Sequence, residues 1–261
     1  MSPQPIQLLA TALLAARRAG EYVMANLARR DEALRCDRLD VKHALDFEAQ
    51  EAACAVLRAA WPGMAILGEE TADAPLPDTP VRWVVDPIDG TVNFFHGLPW
   101  WCCCVAAQVG GRTVAGVVYA PELGLCYEAS TDSPALCNGK PLHVSKTCEA
   151  RLATFHTGSG KIYPDDRGYR FMERITNMAQ RPRIMGAAAL DICLVADGKA
   201  DAWFEPGIYL WDIAAAGIIL ERAGGVIEIL KEHGAWRLAA LATNGPLHGV
   251  CRDALMPLLN E

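Results

Sequence analysis

The sequence predicts a layered α/β (α+β) chain, and three observations predict it. Helical and strand-type periodicities are intermixed along the 261 residues rather than segregated. Three strand-type runs between Trp101 and Ala129 are joined by Gly110-Gly111 and Pro121-Glu122-Leu123-Gly124, the pattern of an antiparallel meander. Apolar residues at helical spacing open the chain and recur after the meander.

The elements follow in order. Ile6, Leu9, Leu13, Leu14, Val23 and Leu27 mark a long amphipathic helix over 6–30. A second helix is predicted from Asp46 to Trp61, stopped by Pro62-Gly63. Met64 to Leu67 reads as a short strand emptying into Gly68-Glu69-Glu70, and Asp73 to Pro80 as a Pro-rich loop. Val81 to Val85 is a buried-type strand, with Asp86 to Thr91 as a turn at its end. The meander covers Trp101–Val109, Arg112–Tyr119 and Leu125–Ala129, and Asn138-Gly139 turns the chain before Leu142–Val144. Helices are then predicted over Tyr169–Gln180, around Gly186–Ala196, and over Asp212–Arg222 with Gly224-Gly225 as its cap. Short strands flank the last helix at Ala202–Glu205 and Val226–Leu230. The expected organisation is one compact unit of two halves, 1–145 and 146–261.

A net charge of −7 argues against a nucleic-acid surface, since Arg17-Arg18 and Arg29-Arg30 are the only adjacent basic pairs. No apolar run approaches the roughly 18 residues of a membrane span. Met1 to Gln7 lacks the basic and apolar regions of a leader, so a cytoplasmic protein is expected. The ten cysteines then read as reduced, mostly buried thiols. Cys102-Cys103-Cys104 suggests a metal, but neighbouring strand residues point to opposite faces and no Cys-x-x-Cys pair occurs.

The chemistry concentrates in Trp83-Val84-Val85-Asp86-Pro87-Ile88-Asp89-Gly90-Thr91-Val92-Asn93-Phe94. An apolar strand delivers two carboxylates with a hydroxyl behind them. Hard divalent cations want such oxygen ligands, and amides at Gly90 and Thr91 would suit a phosphate oxygen. An acidic surface turn is the competing reading of this segment alone. Two further acidic positions weigh against it. Glu69-Glu70 ends another strand, and Asp212 opens an apolar helix, where its bland reading is an N-cap.

Taken together, Gly68-Glu69-Glu70, Asp86-Pro87-Ile88-Asp89-Gly90-Thr91 and Trp211-Asp212 ahead of an Ala-rich helix resemble the inositol monophosphatase family. That family is a branch of the lithium-sensitive, magnesium-dependent phosphatases related to fructose 1,6-bisphosphatase, and the likeness runs from Asp40 to about Gly225. It implies a layered α-β-α-β-α sandwich, a homodimer, and a small phosphate-ester substrate. It further implies that Glu69, Asp86, the Ile88 carbonyl and Thr91 hold one magnesium ion. Asp86, Asp89 and Asp212 would hold a second, and Glu69 would help place a third. By the same resemblance Thr91 orients the attacking water with support from Asp46, and the Gly90 and Thr91 amides bind phosphate. Gly186 and Ala187 line the substrate pocket, Asp191 is a substrate-side position, and Glu205 binds substrate hydroxyls. The sequence departs from the family at His43, Leu45, Arg35, Tyr209 and the bulky, sulfur-rich stretch from Pro99 to Cys104, which reads as core packing or the border of a dimer contact.

Other chemistries fit less well. A haloacid-dehalogenase-type phosphatase separates its aspartates by one residue, not by two. No Gly-Lys-Ser/Thr loop and no Gly-x-Ser-x-Gly elbow is present. His96, His143 and His156 read as surface or packing residues. A regulator that keeps the fold without catalysis would be expected to lose a metal ligand, and none is lost. The expected activity is therefore phosphomonoester hydrolysis with two or three Mg2+. Myo-inositol 1-phosphate is the leading substrate; histidinol phosphate, fructose 1,6-bisphosphate and a nucleotide 3'-phosphate are the alternatives.

Overall fold

The computed structural model describes residues 3–36, 41–72, 76, 79–158 and 167–261. The predicted loop 73–80 and the start of the resemblance at Asp40 fall largely outside those residues. In chain order the helices are α1 (Pro5–Ala25), α2 (Ala44–Ala60), α3 (Thr91–Phe95), α4 (Arg167–Met178), α5 (Ala188–Ala196), α6 (Leu210–Arg222) and α7 (His248–Leu259). The strands are β1 (Ala33–Cys36), β2 (Val41–His43), β3 (Ala65–Gly68), β4 (Val81–Asp89), β5 (Cys102–Val109), β6 (Arg112–Ala120) and β7 (Leu125–Ser130). There follow β8 (Ser133–Cys137), β9 (Lys140–Pro141), β10 (Thr154–Thr157), β11 (Arg181–Arg183), β12 (Ala202–Tyr209), β13 (Val226–Gly234) and β14 (Arg237–Thr243).

Five layers result. Helices α1 and α2 cover one face of a seven-stranded sheet ordered β3 to β9, parallel only at β3/β4. Helices α5 and α6 fill the other face and separate it from a five-stranded sheet ordered β11-β10-β12-β14-β13, which α4 and α7 close from outside. The predicted meander is present and continues through β8 and β9.

The sequence accounts for the layering. In α1, Leu8, Ala12, Ala15, Ala16, Ala19 and Val23 form one buried stripe at helical spacing, and Leu45, Ala49, Ala53 and Leu57 do the same for α2. Strands β4 and β5 are covered on both sides. Trp83, Val85, Cys103 and Val105 pack toward α1 and α2, while Val84, Cys102, Cys104 and Ala106 pack toward α5 and α6. The run Ala214-Ala215-Ala216-Gly217 lets α6 lie close on the sheet. A Cβ at Gly116 of β6 would come within 2.6 Å of the Ala215 carbonyl oxygen.

The structure corrects several expectations. Helix α1 ends at Ala25, followed by a short 3-10 turn over Leu27–Arg29. The segment Asp86–Asp89 is part of β4, not a turn beyond it. Cys102, Cys103 and Cys104 are each no more than 1% exposed and pack under the chain's own helices. Of the two readings of His156, surface or packing, its burial agrees with packing.

Candidate metal and phosphate site

The bulge in β4 builds the centre of the site. Asp86 and Asp89 are three residues apart, and in a regular strand they would point to opposite faces. Asp86 pairs with Cys104, however, and Asp89 with Cys102, so β4 holds one extra residue over this stretch. The extra residue returns Asp89 to the face of Asp86, toward α5 and α6. Bulges next to active sites re-aim side chains in this way.

Three helix starts converge on the same point. Gly90, at φ +91°, turns the chain from β4 into α3. Asp89 crosses to the start of α5, where Oδ1 accepts from the Ala188 amide at 3.2 Å and Oδ2 from the Ala189 amide at 2.7 Å. Asp212 sits in the first turn of α6 and accepts from the Tyr209 amide at 2.8 Å; Tyr209 is the N-cap, so Asp212 stands three residues beyond the position expected for it. Carboxylate oxygens of Asp86, Asp89 and Asp212 lie within 4.8 Å of one another.

These residues open on a cavity of about 270 Å³. Of the predicted site residues, it is lined by Glu69, Asp86, Ile88, Asp89, Gly90, Thr91, Gly186, Ala187, Asp191, Glu205 and Asp212. Asp46 is the exception. It lies outside the lining, 3% exposed at the start of α2, where Oδ2 accepts from the His43 amide and Oδ1 has no partner. Glu70, beside Glu69, turns away and pairs with Lys42 at 2.8 Å.

The electrostatics are those of crowded, buried acids. Burial pushes the Asp86 carboxyl well above the usual carboxylate range, and Glu69 and Asp212 push it further. Burial does the same to Asp89, with Asp212 adding to it and the Ala189 and Ala188 amides pulling the other way. Asp46 is raised by burial and then by Glu69. Asp86 Oδ1 accepts from the Ile88 amide at 3.0 Å, but Oδ2 is buried without a partner. Among the described residues that line the cavity there is no lysine or arginine. The donors are all oxygen, and this set fits a hard divalent cation.

Sequence reasoning gave no role to several residues that shape the site. Asn93 Nδ2 donates to the Trp100 and Met185 carbonyls, both at 2.8 Å, tying the segment after α3 to the segment before α5. Gly158 gives Glu205 its room, because a Cβ there would lie 1.9 Å from Glu205 Oε1. His156 Nδ1 lies 3.2 Å from Asp191 Oδ1, at an angle that leaves both atoms without a formed hydrogen bond. Tyr209 stacks on Trp211 at 4.6 Å and receives a hydrogen bond from Arg237. Of these, Asn93 was visible inside the acidic motif and Tyr209 beside Trp211; Gly158 and His156 depend on contacts distant in sequence.

Gly90 combines a left-handed backbone with a close approach at the centre of the site. A Cβ there would stand 2.9 Å from the Trp100 carbonyl oxygen and 3.1 Å from Ala187 Cβ, in a left-handed conformation. Gly90→Ala is expected to cost about 1–3 kcal/mol of stability through strain alone. Urea unfolding checks this, and a loss below about 0.5 kcal/mol would show that the loop relaxes freely.

Comparison with known proteins agrees with this architecture. Residues 5–253 match the family described as the inositol monophosphatase family. The Nus factor SuhB of Pasteurella multocida is 34% identical over 227 residues, 84% of each chain. Human inositol monophosphatase 1 is 33% identical over 225 residues, 83% of this chain and 81% of that one. Among solved structures, the IMPase of Thermotoga maritima superposes with a TM-score of 0.84 at 30% identity, covering 97% of this chain and 98% of that one. The chain belongs to the inositol monophosphatase family. It is accordingly a phosphoric monoester hydrolase of the kind that acts on small phosphate esters.

Proposed function

We propose that the protein is a magnesium-dependent phosphomonoesterase acting on small polyol or sugar phosphates, with myo-inositol 1-phosphate as the leading substrate. The observation that carries this reading is the cluster of Asp86, Asp89 and Asp212 oxygens within 4.8 Å in the cavity. An anionic ester entering among such acids requires cations to reverse the local charge. Glu69, Asp86, the Ile88 carbonyl, Asp89 and Asp212 would hold two or three Mg2+. When bound, the ions supply charge neutralisation of the ester and a lowered pKa for bound water.

The rest is the work of the chain's own side chains. Thr91 Oγ donates to the Ile88 carbonyl at 2.9 Å, which leaves its oxygen lone pairs to accept from, and so aim, the attacking water. Asp46 has a supporting role, since a buried oxygen with no partner is an acceptor held ready for a proton or a water. Amides of Gly90 and Thr91 bind phosphate oxygens. Gly186, Ala187 and Asp191 face the alcohol side of the ester, and Glu205 accepts hydrogen bonds from its hydroxyls.

The test follows phosphate release from myo-inositol 1-phosphate, histidinol phosphate, fructose 1,6-bisphosphate and adenosine 3',5'-bisphosphate. Each is assayed with magnesium, with chelator, and with magnesium plus lithium. The expected result is magnesium-dependent, lithium-inhibited release that is fastest from the inositol ester. Glu205→Gln should then change the ratio of kcat/KM between substrates about tenfold, more than it lowers kcat for any one of them. Release that survives the chelator would overturn the metal assignment, and an unchanged ratio would remove Glu205 from specificity.

A further inference from the structure

We propose that Asp89, Cys102 and Cys104 form a second metal site, for a thiophilic divalent cation such as zinc or cadmium. We infer further that filling it switches hydrolysis off; this half rests on the function proposed above, the binding half does not.

The site follows from the alternation that seemed to exclude it. Cys103 points toward α1 and α2, but its neighbours Cys102 and Cys104, two positions apart on β5, share the opposite face. Their sulfurs are 3.7 Å apart, and Cys102 Sγ lies 3.6 Å from Asp89 Oδ2. Around one tetrahedral zinc, bonds of about 2.3 Å to sulfur place two thiolates about 3.8 Å apart, and a carboxylate oxygen about 3.5 Å from each sulfur. Two of the three separations thus match such an ion, and all three donor atoms lie within 4.8 Å of one another.

They are also held in place. Both thiols are at most 1% exposed and Asp89 is 7% exposed. The Ala188 and Ala189 amides orient the carboxylate from behind, the kind of outer support that metal ligands commonly have. Buried cysteines are ordinarily inert packing residues. This pair differs in having a carboxylate as third donor and in lying behind Asp89, which lines the cavity and offers an ion its way in. Magnesium has no use for sulfur ligands, whereas zinc and cadmium favour them.

In the metal-free protein the Cys102 thiol donates a hydrogen bond to Asp89 Oδ2. A soft ion therefore enters in exchange for two thiol protons, which pass to solvent. Once bound it holds Asp89, and the magnesium site loses that ligand. Occupation of the two sites is mutually exclusive.

The experiment uses the full chain carrying Cys36→Ser and Cys148→Ser, which removes the two exposed thiols. Cadmium is titrated in and the ultraviolet cadmium–thiolate charge-transfer band is followed. One ion per chain is expected, with the band lost when Cys102→Val and Cys104→Val are added. In a parallel assay at saturating magnesium, the cadmium concentration for half-inhibition should rise about 100-fold in the valine protein, each protein being read relative to its own uninhibited rate. Should the double-valine protein fail to fold, Cys102→Ser and Cys104→Ser singly are read in the same titration, and each should weaken binding. No band in the protein that keeps Cys102 and Cys104, or equal binding with and without them, overturns the site. A band without hydrolysis of any ester would keep the site and sink the phosphatase reading instead. A band without inhibition would keep the site and sink the switch.

Discussion

Replacing Asp86 by Asn is expected to lower magnesium-supported turnover by about a thousandfold or more, while the metal-free protein melts no lower than the parent. The two halves of this result have one cause. Asp86 is 1% exposed, one of its oxygens has no partner, and Glu69 and Asp212 already oppose its ionisation. Without a cation the charge is a burden, so its removal relieves repulsion. The remaining Asn oxygen still accepts from the Ile88 amide, which keeps the bulge of β4 in place. With a cation the same charge is needed, and an amide is a poor substitute for a shared anionic ligand. Phosphate release and thermal melting in chelator, measured on the same preparation, test both halves. Turnover within about tenfold of the parent would mean that Asp86 is not a metal ligand.

What could be seen in the sequence, and what could not, divides by range. The acids were recognisable because each ends or begins an element with its own local signature: an apolar strand before Asp86, another before Glu69, an Ala-rich helix after Asp212. Their convergence was not, because it depends on a register shift between β4 and β5 and on the Ala188 and Ala189 amides, about a hundred residues from Asp89. A turn-rich dipeptide signal, Asp-Pro followed by Asp-Gly, concealed the bulge. Strand β14 passed unnoticed although Leu238, Ala239, Ala240, Leu241 and Ala242 are all buried and it stands between β12 and β13. Its small, uniformly apolar residues carry neither the alternation nor the β-branching of a strand covered on one face. Helix α7 was missed for the opposite reason: only Cys251, Leu255 and Leu259 are buried, too sparse a stripe to stand out. The cysteines teach the same lesson at close range. Alternation applied to neighbours dismissed the triplet, and applied to every second residue it pairs Cys102 with Cys104.

The stability of the metal-free protein should fall as pH is raised from about 5 to about 8, and magnesium should reverse that trend. Asp46, Asp86, Asp89 and Asp191 are all carboxyls whose values in the folded chain are raised by burial first. The unfolded chain releases these protons near pH 4, while the folded chain retains them. Their contribution to stability is thus complete below about pH 4 and is progressively lost as pH rises through the raised folded values. Glu48 works in the other direction, lowered to about 2 by Arg29 and Tyr22, but its contribution is lost only on acidification and leaves this window alone. Burial lowers His233, so its contribution grows with pH, equally in the parent and in a site variant. The informative quantity is therefore a difference: the melting temperature of the parent in chelator should decline more steeply with pH than that of Asp86→Asn. A magnesium ion that binds only the folded, deprotonated site adds about 2.7 kcal/mol at a hundredfold excess over its dissociation constant. Because it competes with the site's protons, its stabilisation should increase with pH. Parallel pH profiles for parent and variant in chelator would show that the site's acids are not what opposes folding. A magnesium shift independent of pH would place the ion away from them.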